Sequence, residues 1–502
     1  MKKSGYLFLA ACLTVLLSLG GVPAAQAAKQ TLVVDLVSEP TTLDPHKQWN
    51  PSSYYIYRNI FDNMLTRTPE GKIVPQAAVS WKYESPTVVD FKIRTDIKFH
   101  DGSPLTVDDV VFSVMRIIDP NFKSPQAGQF NTITKAEAID KDTVRLTTQV
   151  PYPVLLAQLV KLSIVPKAYV TKVGDEEFNR QPIGSGPYKF VEWKKGVKVV
   201  LKANTNYWRG NPPFPTVEFQ AVPEKSTRVA DLRTGKSDLV VSLDADIAAQ
   251  LKGDPRAKVL SVPTERVAYF RINTLAGPTA DLRVRKAIAY AIDRDLIVNG
   301  LQGGYSKKVN VMVGDTSFGY DASFKSYPYD PEKAKALLKE AGLGNKEIEI
   351  LTAPAVFDQR VVEAIQQMLR NVGINAKIVG MDMAAFLKRM QSSPEDKDPT
   401  SFGRWSCACQ DADGILYPMF DSKSIWSNIN DPQLDQALEK GRSTLDPAER
   451  MKAYRQADQI IQDQVPALPL YQVGIIYGAA KPLQWQPTPD ESMFVMDMRW
   501  KE

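Results

Sequence analysis

The chain has 502 residues, of which 44% are hydrophobic and 24% are charged. These values are ordinary for a globular protein and argue against a disordered chain or a polytopic membrane protein. The formal charge of +5, from 62 basic and 57 acidic residues, argues against a dedicated nucleic-acid binder. The length suggests about three domains. Only two histidines occur, His46 and His100, so a histidine-rich metal site is disfavoured and we predict no metal or cofactor.

The N-terminus has the pattern of a cleaved signal peptide. Two lysines precede an apolar run over residues 7–19, and residues 25–27 form the small-x-small sequence Ala-Gln-Ala. We predict cleavage after Ala27 and export to the periplasm. Lipidation at Cys12 is a disfavoured alternative, because the apolar run continues past that cysteine. The run is also short for an anchor, since a membrane-spanning helix needs about 20 apolar residues.

The first half of the mature chain predicts strands with an α+β segment between them. Thr31–Val37 reads as a buried strand, and the proline-punctuated stretch Thr41–Ser53 reads as a loop. Residues 59–184 mix strands and helices. Within them, Thr106 and Asp109 form a capping-box pattern that predicts the start of a helix.

The predicted secondary structure changes twice along the second half of the chain. Residues 185–273 are strand-rich, and from about 274 helices and strands alternate, which is typical of a parallel or mixed sheet covered by helices. Leu282–Leu301 carries one apolar stripe and predicts a single helix. The tail returns to strand character, with strands predicted at Ala467–Tyr471 and Gly474–Tyr477.

Motifs for catalysis are missing from the sequence. The chain has no nucleophile elbow, Walker A loop or dinucleotide fingerprint. Asp411 and Asp413 alternate beside Gly414, but the further ligands of a calcium loop are missing. A turn is the favoured interpretation of this pair, and an exported carboxylate-dependent hydrolase is the alternative.

Cys407-Ala408-Cys409 holds the only two cysteines of the predicted mature chain. An even pair in an oxidising compartment usually joins, so we favour a structural disulfide. Two free thiols, or a metal or redox role, are the alternatives. The one-residue spacing differs from the C-x-x-C motif of thiol–disulfide catalysts.

Four motifs in order resemble one family. They are Ser38–Pro45 (SEPTTLDP), Lys98–Thr106 (KFHDGSPLT), Gly184–Tyr188 (GSGPY) and Val284–Arg294 (VRKAIAYAIDR). Together they resemble the extracytoplasmic solute-binding proteins of the peptide/nickel/opine class of ABC importers, family 5, along nearly the whole predicted mature chain.

The resemblance implies an α/β, two-lobed periplasmic binding protein fold of the cluster C type, with an extra α+β domain inserted in the first lobe. Domain I would comprise residues 28–58, 185–272 and 473–502. Domain II would be 59–184 and domain III 273–472. The implied function is capture of a solute by lobe closure, without catalysis. The implied partners are the solute and an inner-membrane ABC permease with its ATPase subunits, and the binding protein would be a monomer.

The resemblance also implies where a ligand lies. One wall would be the loop after the first strand, with Trp49, Asn50 and Ser52, and the opposite wall would begin at Trp405. Peptide binders of the family typically place an aspartate three residues after that tryptophan, to neutralise the peptide ammonium.

In this chain the count leads to Ala408, and the nearest carboxylate is Asp411. Two interpretations stay open. Either Asp411 reaches the amine of a peptide, or the ligand is a sugar, an opine, a metal chelate or another polar solute. A non-peptide ligand of this kind would be held by Trp405, Asn50 and Arg271.

Overall fold

The protein is described here from a computed structural model that covers residues 29–48, 50–393, 398–407 and 409–501. The predicted signal peptide, Trp49 and Ala408 lie outside the described residues. Within the described ranges, no helix is long and apolar enough to cross a membrane.

The elements are numbered in chain order. The strands are β1 Thr31–Leu36, β2 Leu65–Arg67, β3 Ile73–Pro75, β4 Ala78–Ser85, β5 Val88–Ile93, β6 Ile133–Ala138, β7 Thr143–Thr148, β8 Tyr188–Lys194, β9 Lys198–Ala203, β10 Thr216–Ala221, β11 Leu239–Leu243, β12 Ala257–Ile272, β13 Lys307–Lys308, β14 Glu347–Thr352, β15 Asn375–Gly380, β16 Thr400–Trp405, β17 Ala467–Ala480, β18 Leu483–Gln484 and β19 Arg499–Trp500. The helices are α1 Pro51–Tyr57, α2 Val107–Ile118, α3 Ala127–Phe130, α4 Leu155–Leu159, α5 Lys167–Arg180, α6 Lys225–Thr234, α7 Ala245–Leu251, α8 Leu282–Ala291, α9 Pro331–Ala341, α10 Gln359–Asn371, α11 Met383–Met390, α12 Asp413–Phe420, α13 Pro432–Ser443 and α14 Pro447–Gln464.

One mixed sheet runs through both lobes. Its order is β15-β14-β16-β12-β17-β11-β1-β10-β9-β8, with β13 beside β17. The first lobe contains β1 and β8–β11. The second contains β14–β16, with parallel pairs that are joined through helices α10 and α11. The buried apolar residues of β14, α8 and α10 form one core, and those of β1, β9 and β10 form another.

A separate α+β unit is inserted in the first lobe. The chain leaves the large sheet after β1 and rejoins it at β8. Between them it forms a four-stranded antiparallel sheet, β4-β5-β7-β6, with its own core. The predicted capping box is confirmed, since Thr106 donates its backbone N–H to Asp109 Oδ2 over 2.8 Å at the start of α2.

Strands β12 and β17 connect the two lobes. They pair with each other from Ala257 opposite Ala480 to Arg271 opposite Ala467. At one end β17 pairs with β11 of the first lobe, and at the other end β12 pairs with β16 of the second. The register shifts between Pro263 and Val267, so the long pair is irregular where it passes from one lobe to the other.

Three local predictions were wrong. Helix α1 begins inside the predicted loop, because Asn50 caps it and Pro51 suits the first helical position. The predicted single helix 282–301 is interrupted after Ala291, and Leu296–Leu301 forms a separate π-helix. Arg294 in the interruption donates to the carbonyl of Val309 over 2.7 Å. The two strands predicted near the C-terminus are one strand, β17, because β12 pairs along its length.

Candidate ligand-binding site

A cavity of about 510 Å³ lies between the two lobes. The first lobe lines it with α1, the inserted unit, the irregular stretch of β12 and the loop after β18. The second lobe lines it with the end of β16, the start of α12 and α13. Its size is within the range of small-molecule sites in proteins, about 300–1,000 Å³.

Charged and aromatic side chains of the described residues line this cavity. The charged residues are Lys161, Glu265, Arg266, Asp413, Arg442, Asp490 and Glu491. The aromatic residues are Tyr54, Tyr152, Trp405 and Tyr417. Both signs of charge occur on the walls, an arrangement that suits a polar solute with a charged group.

Lys161 of the inserted unit joins α1 to the loop after β18. Its Nζ donates to the Tyr54 hydroxyl over 2.9 Å and lies 3.5 Å from Asp490 Oδ2. Burial alone would lower the pKa of Lys161, but Tyr54 and Asp490 raise it above its usual value. Burial would raise the pKa of Asp490, but Lys161 and hydrogen bonds from Thr488 and Ser492 lower it. Both groups are therefore charged at neutral pH.

Glu265, Arg266 and Glu491 lie where β12 crosses between the lobes. Arg266 Nη1 is 2.7 Å from Glu491 Oε1. Glu265 is buried, and its Oε2 has no hydrogen-bond partner. Burial and then the neighbouring Glu491 raise the pKa of Glu265 to about 8. A further cation placed against Glu265 would lower that pKa again.

The opposite wall of the cavity carries one basic and one acidic residue that pair with each other, Arg442 and Asp413. Arg442 Nε lies 3.4 Å from Asp413 Oδ1, and the Arg442 guanidinium stacks 3.6 Å from the ring centre of Tyr417. Burial raises the pKa of Asp413 to about 6. One carboxylate and one guanidinium thus face the cavity from the second lobe.

Trp405 separates this cavity from a smaller one of about 220 Å³. Its Nε1 donates to the Gly414 carbonyl over 3.0 Å, and its ring meets Trp426 edge-on with the ring centres 5.5 Å apart. The smaller cavity is mostly apolar and shares Trp405, Ser406 and Arg266 with the larger one. Its apolar lining includes Val356, Phe357, Met383, Phe386, Leu387 and Met390.

The loop predicted as one wall contributes different residues from those expected. Asn50 uses its Oδ1 to cap α1, accepting from Ser52 N over 2.8 Å, and the buried Ser52 hydroxyl lies 3.0 Å from that of Ser38. Pro51 and Tyr54 of the same segment line the cavity instead. Trp49, the third residue predicted for this wall, lies outside the described residues.

Two charged residues predicted for the ligand have protein partners. Both oxygens of Asp411 accept from Arg450, over 2.7 and 3.0 Å, in a buried ion pair that lines a separate cavity of about 650 Å³ and not the cavity of about 510 Å³. Arg271 is buried, donating to the Trp426 carbonyl and to Met390 Sδ, and it lines neither cavity. The fold uses both charges to hold its own elements together, and a role of Asp411 or Arg271 in ligand binding stays a prediction.

The cysteine loop lies between the lobes. The sulfur atoms of Cys407 and Cys409 are within bonding distance, and Cys407 lines the larger cavity. Formation of the disulfide stays a prediction, and Ala408 between them is outside the described residues. The described residues contain no group of three or more histidine, cysteine or acidic side chains that could hold a metal ion.

Sequence reasoning missed most of the charged lining. Lys161, Glu265 and Glu491 are far apart in the chain, and none stands in a motif with a recognisable spacing. A usable signal for one of them was the acidic pair Asp490-Glu491 in an otherwise uncharged, proline-containing tail segment. Only the folding of α4, β12 and the tail against one another brings these residues together.

Residues 72–427 match the family described as bacterial extracellular solute-binding proteins, family 5. Heme-binding protein A of Haemophilus influenzae is 29% identical over 465 residues, covering 86% of this chain and 84% of the relative. Glutathione-binding protein GsiB of Escherichia coli is 28% identical over 470 residues, covering 91% of both.

Solved structures of related proteins have the same overall fold. HbpA2 from Haemophilus parasuis superposes with a TM-score of 0.85 at 27% identity, covering 94% of this chain and all of the other. The periplasmic binding protein DppA from Helicobacter pylori, in complex with the peptide STSA, has a TM-score of 0.78 at 26% identity, covering 94% and 98%. These similarities confirm the two-lobed fold and the resemblance drawn from the motifs. The chain belongs to family 5 of the bacterial extracellular solute-binding proteins, the solute-capturing components of ABC importers.

Proposed function

We propose that this protein captures a peptide or peptide-like solute in the periplasm and delivers it to an inner-membrane ABC permease with its ATPase subunits. The cavity of about 510 Å³ between the lobes, lined by charges of both signs, carries the proposal. A short zwitterionic peptide needs partners for a cationic and an anionic group, and both are present on these walls.

The apolar cavity beside Trp405 supports a peptide over a sugar. Its volume of about 220 Å³ and its methionine- and phenylalanine-rich lining suit one large apolar side chain. A sugar or an opine offers hydroxyl or carboxyl groups that would find few partners there. These ligands, and a metal chelate, are the alternatives to the peptide.

The mechanism that we propose is closure of the two lobes about β12 and β17, without chemistry on the solute. Ligand contacts with both lobes would favour the closed form, and the permease would recognise that form. The domain divisions at 58/59, 184/185, 272/273 and 472/473 belong to this proposal. So do the monomeric state, periplasmic location after cleavage behind Ala27, and the disulfide.

The proposal is tested by purifying the mature protein natively and weighing it under native and denaturing conditions. The mass difference identifies any retained solute, and fragmentation gives its class. We expect one or more peptides, released unchanged after prolonged incubation. A retained sugar or opine would replace the peptide proposal, and hydrolysed products would support the carboxylate-dependent hydrolase.

A further inference from the structure

The first-lobe wall of the cavity holds three carboxyl groups and two cations. The carboxyl groups are Glu265, Asp490 and Glu491, and the cations are Lys161 and Arg266. All three carboxyl groups are at least nine-tenths buried, so solvent screens them little.

Each of the two cations already forms an ion pair with a carboxyl group of this wall. Lys161 lies against Asp490 at 3.5 Å, and Arg266 against Glu491 at 2.7 Å. Glu265 is the carboxyl group left over, and its Oε2 is buried without a hydrogen-bond partner. A buried carboxylate without a partner is costly, so this oxygen needs either a proton or a cation from outside the chain.

The backbone holds this group at the crossing between the lobes. Glu265 N donates to the Pro489 carbonyl over 3.2 Å, which ties the irregular stretch of β12 to the tail loop. Glu491 on that loop has φ of +55°, a left-handed conformation that non-glycine residues rarely adopt. Such strain is retained where the surrounding structure fixes a side chain in place, as around a binding site.

We propose that Glu265, supported by Glu491 and Asp490, binds the cationic group of the transported solute, an ammonium or a guanidinium. This inference rests on the proposed function and adds the position of one ligand group. It accounts for the absence of an aspartate at position 408, since Glu265 supplies a negative charge from another part of the chain. Asp413 on the opposite wall also has a buried oxygen without a hydrogen-bond partner, but the Arg442 guanidinium lies 3.4 Å from that oxygen and already supplies a cation.

The groups that face Glu265 also predict a proton exchange. Besides the four charged neighbours already named, Tyr55 and Arg67 act on it electrostatically. Because burial and Glu491 raise the pKa of Glu265 to about 8, an incoming cation replaces the proton on this carboxyl group. If the cationic group binds at Glu265, we therefore expect proton release on binding near neutral pH.

The first experiment offers the mature protein a mixture of unmodified tripeptides without lysine or arginine and the same mixture N-acetylated, with retention read by native mass spectrometry. We expect unmodified peptides to be preferred at least about tenfold, and the Glu265→Gln variant to lose that preference. Asp413→Asn is the comparison variant from the opposite wall, and Glu137→Gln, at a half-exposed residue of β6, is the folding control.

The second readout is calorimetry near pH 6.5, where α-amino groups are already protonated, in two buffers of different ionisation enthalpy. Wild type should release about one proton per retained peptide, and Glu265→Gln should release less. Equal retention of both mixtures would overturn the cation subsite and leave the peptide function standing. Loss of the preference in Asp413→Asn alone would move the subsite to the other wall. Retention of neither mixture would contradict both proposals.

Discussion

Arg67 Nη2 donates a hydrogen bond of 2.7 Å to the carbonyl oxygen of Cys409. Arg67 is on β2 of the inserted unit, and Cys409 follows β16 of the second lobe, so this bond joins the two sides of the ligand cavity. Cys409 is fully buried and packs into the core of the inserted unit. The cysteine loop is thus an interlobe contact as well as part of the cavity wall.

Removing this contact should open the lobes. For Arg67→Ala we expect peptide affinity to fall about tenfold, because a hydrogen bond to a charged donor contributes about 1.5–3 kcal/mol. Small-angle scattering should show a larger radius for the unliganded variant. Lys135→Ala, at an exposed residue within β6, is the control. An unchanged radius and affinity would mean that the bond does not hold the lobes together.

Asp411 should prove structural. Asp411→Asn leaves the buried Arg450 guanidinium unpaired, so we expect the free energy of unfolding to fall by about 3 kcal/mol in denaturant titrations. The double variant with Arg450→Met should recover part of that loss. Glu449→Gln, which breaks an exposed pair with Lys440, should change stability little. Near-normal stability of Asp411→Asn combined with lost peptide binding would restore Asp411 as a ligand residue.

The apolar cavity should select peptide side chains by size. Val356 lines it and is 39% exposed, so Val356→Trp can fill the space with little cost to folding. We expect peptides with a leucine or phenylalanine side chain to bind about tenfold more weakly, while glycine and alanine peptides are unaffected. Leu296→Trp, at an exposed residue outside both cavities, is the control. Equal weakening of all peptides would contradict a side-chain pocket.

His46 should make stability depend on pH. Arg116 Nη1 donates to its Nδ1 over 3.1 Å, so the ring is neutral and its Nε2–H donates to the Ser163 carbonyl. Burial lowers the pKa of His46 to about 4, below the unfolded value near 6.5. Between these values the unfolded chain binds more protons, so stability is lost as pH falls.

The measurement is denaturant unfolding of wild type and His46→Gln between about pH 7.5 and 4.5. The stability advantage of wild type should be constant above about pH 6.5 and should shrink by up to about 3 kcal/mol toward pH 4. If the free energies of unfolding of the two proteins change with pH in parallel, the pKa of His46 is the same in the folded and the unfolded chain. His100→Gln serves as a second test, because burial also lowers the pKa of His100 to about 4.

The cysteine pair should be oxidised in protein purified from the periplasm. Denaturing mass spectrometry should find the mature chain two hydrogens lighter than its reduced form, with the difference removed by a reductant. Gly414→Ala should disturb this loop, because an added Cβ would meet the sulfur of Cys407. A mass equal to the reduced chain would favour two free thiols.

The sequence by itself determined the family, the inserted α+β unit and most strands and helices. Local chemistry decides these features: the capping box at Thr106, the proline at the start of α9 and the apolar stripes are contained in single segments. Four ordered motifs were enough to identify the two-lobed fold, because the spacing between them spans nearly the whole chain.

The tertiary structure alone decided which charges line the cavity between the lobes. Asp411 is the carboxylate nearest the expected position 408 along the chain, but Arg450, from a helix almost 40 residues away, occupies both of its oxygens. Glu265 carried no local signal, and its importance comes from a buried oxygen, Oε2, that finds no hydrogen-bond partner among the side chains of the segment after α4, of β12 and of the tail. Charge balance in a buried cavity is a sum over distant segments, and no local pattern in the sequence encodes that sum.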